Sequence, residues 1–321
     1  MPMQPDGYTF ELSKRVQRTR VTYPNLHGIT LVGDLYVAVD QDTSVASPAL
    51  VVGPPHGGLK EQGPGVYANE LAQRGFVVLA FDPSYMGDSG GDPRFFTSPE
   101  ILTEDFSAGV DFLGTLDFVD RDRIGVIGIC ASGGFALNAA AIDTRIKAAA
   151  AMTMYDIPGM NRDGWNYEGG DEARRAKLGE LAAQRWADVD RGERAMEPQF
   201  PLGDYDAASL DPITAEFFEY YAKVNDRGWH PNSVGGHRVT ALLPHIAYGQ
   251  FRNFGDVPPR VALIAVGDQA HSRWFSEKAF EKFPSGSAQL VIVPDARHID
   301  LYDDVTKIPF DSLEEFFSEH L

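Results

Sequence analysis

Short apolar runs rich in β-branched residues alternate along the chain with longer segments whose apolar positions recur at helical spacing. Residues 49–52, 76–81, 124–129, 146–154, 260–266 and 289–293 read as buried strands. Residues 66–74, 99–119, 135–141 and 275–283 read as helices, and a last amphipathic helix carries Leu313, Phe316, Phe317 and Leu321. Two earlier runs, 18–23 and 29–39, flank Pro24-Asn25-Leu26-His27-Gly28 and predict an antiparallel entry into the sheet. Such alternation predicts an α/β fold, a mostly parallel sheet with helices on both faces. Its ligand site is expected at the carboxyl ends of the strands.

The alternation breaks between residues 157 and 258, where the chain turns polar, Gly-rich at first and then helical over 174–188 and 212–224. About a hundred residues are too many for a loop, so this stretch is expected to be an inserted helical cap on a core made of residues 1–156 and 259–321. Trp165, Tyr167, Phe217, Phe218, Tyr220, Tyr221 and Trp229 are many aromatics for a polar insertion. Those on its underside would line an apolar pocket suited to an acyl chain or an aromatic ring.

With 321 residues, 43% of them apolar, the chain can bury one large core plus an insertion. Acidic residues outnumber basic ones 46 to 28, a net charge of −18 that argues against nucleic acid and anionic membrane surfaces as partners. The single cysteine excludes an internal disulfide and a multi-Cys metal site. No run approaches the ~20 apolar residues of a membrane span, and residues 1–20 are too polar for a signal peptide, so a cytoplasmic protein is expected.

The chemistry centres on Gly128-Ile129-Cys130-Ala131-Ser132-Gly133-Gly134, where a strand runs into an Ala-rich helix. A nucleophile on so tight a strand-to-helix turn needs small residues two positions to either side. Gly128 and Ser132 frame Cys130 in this way, and the helix N-terminus is expected to favour its thiolate. Ser132 satisfies the same pattern with Cys130 as its small neighbour. Cys130 is preferred because Gly is the least crowded residue at the position two before it. A buried structural cysteine is the remaining alternative.

His298, just after the last core strand, is the expected base. Asp268, at the turn after the penultimate strand, is the expected acid, with Asp156 in reserve. The backbone N–H of Ala131 and the Gly57-Gly58 turn are the expected oxyanion donors. No Gly-Lys-Ser/Thr closes a phosphate loop and no His pair has metal-ligand spacing, so neither a cofactor nor a metal is expected.

Five stretches, Leu59-Lys60-Glu61-Gln62, Phe81-Asp82-Pro83-Ser84-Tyr85-Met86-Gly87-Asp88-Ser89-Gly90-Gly91, the Cys130 elbow, Ala270-His271-Ser272-Arg273 and His298-Ile299-Asp300-Leu301-Tyr302, together resemble the α/β-hydrolase superfamily. The branch they resemble is that of the dienelactone hydrolases and the polyketide transferases. The resemblance spans residues 18–310 and implies an α/β-hydrolase fold with a Cys-His-acid triad, matched by Cys130, His298 and Asp268. It further implies that Glu61 contacts the resting thiol. The residue at His56 departs from the small residue expected there. The activity implied is acyl transfer from a small-molecule ester, lactone or thioester to water, with an alcohol or amine acceptor as the alternative. A receptor or lyase on the same fold ranks behind both, and a homodimer is compatible with this reading.

Overall fold

Gly53 and Gly128 sit side by side in adjacent parallel strands, and this register sets where the two central loops meet. The computed structural model describes residues 3–321. Its sheet has eight strands: β1 (Val16–Pro24), β2 (Thr30–Ala38), β3 (Ser47–Gly53), β4 (Val77–Phe81), β5 (Val119–Ile129), β6 (Ile146–Met152), β7 (Val261–Gly267) and β8 (Ala288–Val293). They run in the order β1-β2-β4-β3-β5-β6-β7-β8. β1 pairs antiparallel with β2, and β2 with β4; every later pairing is parallel. The central strands are buried along most of their length, which is why they read as continuous apolar runs.

Ten α-helices accompany the sheet among the described residues: α1 (Gly63–Ala72), α2 (Pro99–Leu113), α3 (Ala131–Ile142), α4 (Ile157–Asp163), α5 (Gly170–Arg191), α6 (Pro212–Tyr221), α7 (Leu242–Ala247), α8 (Arg273–Phe280), α9 (Asp300–Asp303) and α10 (Phe310–His320). α2 is shorter than the sequence pattern suggests. Gly114 caps it, its N–H reaching the carbonyls of Phe112 and Val110, and Val119 already pairs with Ser47 in the sheet. α4 lies where irregular chain was expected. Asp156 starts it by accepting the N–H of Gly159 at 2.9 Å, an N-cap that satisfies an otherwise orphaned donor. The chain from α4 to α7 lies between the parallel strands β6 and β7, so it leaves the sheet at the carboxyl end of β6 and rejoins it at the amino end of β7. No described helix is long and apolar enough to cross a membrane.

The main core is one large apolar cluster around the sheet, and a small second cluster joins Leu181, Leu242 and Ile246 in the stretch between β6 and β7. Phe317 of α10 shows how closely the layers approach: a Cβ on Gly125 in β5 would lie 2.7 Å from its ring. Only glycine at 125 lets that ring seat on the strand. Replacing Phe317 with alanine removes a fully buried ring with little room for neighbours to collapse, and is expected to cost about 3–5 kcal/mol, read as a lowered midpoint in urea unfolding.

Candidate active site

At the end of β5 the backbone turns into α3 through Cys130, whose φ of 57° and ψ of −123° are unusual for a residue with a side chain. A Cβ at position 128 would lie 2.0 Å from the carbonyl oxygen of Ser132, so the turn closes only over glycine. The left-handed residue is therefore Cys130. Ser132 lies inside the first turn of α3, buried, with its hydroxyl donating to the carbonyl of Pro54. The turn is pinned to the sheet because the Cys130 N–H donates to Met152 and its carbonyl accepts the N–H of Tyr155.

The Cys130 sulfur has two backbone donors beside it, the N–H groups of Ala131 and His56, and the hydroxyl of Tyr302 as a third polar neighbour. All three favour the thiolate, yet burial dominates and pushes the thiol up to about 11. The helix N-terminus does not produce the thiolate expected from the sequence. The second backbone donor also differs from the expected Gly57-Gly58 turn. Gly58 spends its N–H on the carbonyl of Pro55 at 2.8 Å, closing the turn that presents His56. Gly57 supplies the left-handed conformation, φ 81°, and its carbonyl accepts the hydroxyl of Ser233 at 2.8 Å. A carbonyl carbon bound at this sulfur would have its oxygen within reach of two fixed N–H groups, the arrangement that stabilises a tetrahedral oxyanion.

His298 follows β8 and is fully buried. Its Nε2 lies 2.9 Å from the hydroxyl of Tyr302. Its Nδ1 lies 2.6 Å from the hydroxyl of Ser272 and 2.9 Å from that of Thr153. These partners come from the chain just beyond β7 and β6, whose ends are level in the sheet. Burial, with the neighbouring His271 ring, holds the imidazole well below its ordinary pKa, so it rests neutral.

Neither expected acid is brought to His298. Asp268 is exposed at the end of β7, and Ser272, four residues on, takes the place beside Nδ1. Asp156 instead caps α4 and accepts the hydroxyl of Tyr167. The carboxylate closest in chemistry is Glu216 of α6, which binds Nδ1 of His271 at 2.8 Å and the N–H of Ile299 at 3.1 Å. The His271 ring in turn lies against His298 with centroids 4.7 Å apart.

Glu61 does not reach the thiol. It pairs with Lys60, whose fully buried ammonium also binds Asp82 at 2.8 Å and Asp88 at 3.0 Å. Glu61, Asp82 and Asp88 are the one group of carboxylates among the described residues with spacing suited to a cation. The Lys60 ammonium already supplies that positive charge. Burial next to Asp82 raises Glu61 to about 7. The cluster ties the loop after β3 to the loop after β4, and thereby steadies the turn carrying His56.

The sulfur opens on a cavity of about 320 Å³ lined by His56, Cys130, Tyr155, Trp165, Phe217, Tyr221 and Tyr302 together with Ile157, Met160, Phe200, Ile213 and Thr214. Cys130 and His56 form one side, and residues from α4 to α6 form the other. No lysine, arginine or carboxylate lines it. Sequence reasoning missed Tyr302, Ser272 and Thr153 as partners of this site. The His298-x-x-x-Tyr302 spacing, one helical turn, was the available signal.

Behind His56 lies a stack of buried imidazoles. His237 stacks on His56 with centroids 3.7 Å apart, and Thr97 bridges His56 and His245 at 3.0 Å each. Burial lowers His56 to about 4 and His245 to about 3, and holds His237 well below its ordinary value. The unfolded chain binds these protons near pH 6.5 and the folded chain does not, so each histidine withdraws stability as pH falls below about 6.5. Glu61 and Asp105, raised to about 7 and about 6, act in the opposite sense. His237→Phe keeps the stack and removes one such proton. Its urea-unfolding free energy is expected to fall by about 2 kcal/mol less than wild type between pH 7 and pH 5; an unchanged pH dependence would refute the assignment.

A family model described as an alpha/beta hydrolase family matches residues 55–307. The chain is 43% identical over 316 residues to the uncharacterized protein PA2218 of Pseudomonas aeruginosa, covering 98% of this chain and 83% of that one. The crystal structure of PA2218 superposes with a TM-score of 0.92 over 98% of this chain and 97% of the other. The uncharacterized protein YcjY of Escherichia coli is 35% identical over 312 residues, 95% of this chain and all of that one. The thiohydrolase apmlB of Arthrinium phaeospermum is 30% identical over 265 residues, covering 77% and 76% of the two chains.

Proposed function

The chain belongs to the alpha/beta hydrolase family, and on that premise we propose that it is an acyl hydrolase acting through a Cys130 thioester on neutral, apolar esters or thioesters. One observation carries this reading: the sulfur on the strained turn is met by the N–H groups of Ala131 and His56 at the floor of an apolar cavity. The proton of the thiol passes to the His298 side, and the sulfur attacks the substrate carbonyl. The oxyanion takes the two N–H bonds, and collapse expels the alkoxide or thiolate, which leaves with the proton held at His298. Water then attacks the acyl-enzyme with His298 as base. Because the resting thiol and imidazole are both neutral, proton transfer accompanies attack rather than preceding it.

The stretch 157–258 acts in this reading as the cap that selects the acyl group. A cavity of about 320 Å³ is at the small end of ligand pockets, which favours short acyl chains or a single aromatic ring. With no cation in the lining, an acyl group bearing a carboxylate would be buried unpaired and is rejected. The name thiohydrolase carried by apmlB supports thioesters among the substrates. Transfer to an alcohol is the second reading, favoured by the aromatic lining that limits water around the acyl-enzyme.

Intact-protein mass spectrometry after brief exposure to p-nitrophenyl esters and acyl thioesters tests the mechanism. An acyl adduct is expected on wild type and on Ser132→Ala and is expected to be missing from Cys130→Ala. An adduct that survives in Cys130→Ala, or disappears in Ser132→Ala, would overturn the assignment of the nucleophile. Added alcohol that diverts the acyl group from acid to ester would select the transfer reading.

A further inference from the structure

Tyr302 stands between the two groups that an acyl-transfer site would normally bring into direct contact. Its hydroxyl is 2.9 Å from Nε2 of His298, and Tyr302 lines the same cavity as Cys130, where its hydroxyl is a polar neighbour of the sulfur. Nε2 has no other hydrogen-bond partner among the described residues, so the one lone pair able to take the thiol proton is occupied by the phenol. The ring is held in place on several sides. Tyr220 and His298 pack edge-on with centroids at 5.1 and 5.2 Å, and the hydroxyl of Tyr67 holds the carbonyl of the preceding residue, Leu301, at 2.7 Å.

We propose that Tyr302 is a catalytic residue, a proton relay that carries the thiol proton of Cys130 to His298 and returns it to the leaving group. This rests on the acyl-enzyme reading above. In acylation the thiol proton moves to the Tyr302 oxygen while the phenol proton moves to Nε2 of His298. The S–H electron pair forms the bond to the carbonyl carbon, and the carbonyl π pair becomes the oxyanion on the N–H groups of Ala131 and His56. On collapse the oxyanion pair re-forms the carbonyl and the bond to the leaving oxygen or sulfur breaks. Nε2 gives its proton to Tyr302 as Tyr302 gives its own to the leaving atom, so phenol and imidazole end as they began. Burial disfavours the tyrosinate strongly, which requires the two hops to be concerted.

The surroundings of His298 fit the same scheme. Its Nδ1 faces the hydroxyls of Ser272 and Thr153 rather than a carboxylate. An imidazolium there lacks the countercharge that a triad acid provides, so a path that shares the proton along a chain is favoured over a standing ion pair.

Because Cys130 is the one cysteine of the chain, iodoacetamide reports on this thiol alone. The test compares full-length wild type, Tyr302→Phe, His298→Ala and Cys130→Ala, measuring pre-steady-state acylation by a p-nitrophenyl ester and the pH profile of alkylation. Tyr302→Phe is expected to acylate on the order of 100-fold more slowly, with its alkylation profile displaced to higher pH. In H2O–D2O mixtures the wild-type acylation rate should curve, with two protons in flight, and the residual rate of Tyr302→Phe should be linear. Acylation of Tyr302→Phe at the wild-type rate, with an unchanged alkylation profile, would overturn the relay. Should that variant not fold, difluorotyrosine installed at position 302 alone preserves the packing. An acylation pH profile moved to lower pH supports the relay, and an unmoved one overturns it. Turnover that persists in Cys130→Ala would instead remove the acyl-enzyme reading itself, an outcome the other variants do not mimic.

Discussion

Everything around the site depends on one close approach, the backbone of β5 passing so near the first turn of α3 that a single methyl at position 128 would collide with the Ser132 carbonyl. In the same turn Cys130 takes a positive φ, and it borders the cavity. The paired ends of β3 and β5 then bring the 54–58 turn over the Cys130 sulfur. The two backbone donors at the site therefore come from neighbouring strands held by the sheet, and neither depends on a flexible side chain. Fixed dipoles of this kind need little reorganisation when charge appears beside them, which is the main source of their strength.

Electrostatically the site is a neutral pocket among charged neighbours. The thiol stands at about 11 against its ordinary value of 9.0, a net of roughly 3 kcal/mol against the thiolate, so burial outweighs the polar groups around the sulfur. The imidazole is likewise held neutral. Charge is concentrated instead in the Lys60 cluster, where a buried ammonium meets three carboxylates and carries the loop that presents His56. Removing one partner of such a cluster strands the others, so the arrangement fixes geometry more than it adds stability.

The insertion meets the core through contacts that converge on that same loop. Ser233 donates to the carbonyl of Gly57, Gln62 to that of Gly228, and the His237 ring stacks on His56. On the other side of the cavity Glu216 joins His271 to the backbone at Ile299, next to His298. The stretch between β6 and β7 is thus tied to the residues flanking the sulfur and the imidazole, so a shift of that stretch would be felt at both.

The hydrophobic pattern by itself determined the alternating strands and helices, the long break after β6 and the small-residue frame around Cys130. These are local properties: apolar periodicity marks which faces are buried, and a turn too tight for side chains can be read from the small residues it requires. It also put His298 at the end of the last strand, because position along a parallel sheet follows chain order. Only the tertiary structure decided the partners. Asp268 is near in sequence to the expected position and points to solvent, while Ser272 and Thr153, from two different strand ends, meet at Nδ1 of His298. Nothing in a Lys-Glu dipeptide marks it as buried, yet Lys60 and Glu61 are covered by the loop after β4, which closes over them from about twenty residues away and draws Glu61 to Lys60 rather than to the thiol. The donor role of His56 was hidden for a related reason. A backbone N–H carries no side-chain signature, and its direction is set by the fold of the loop around it.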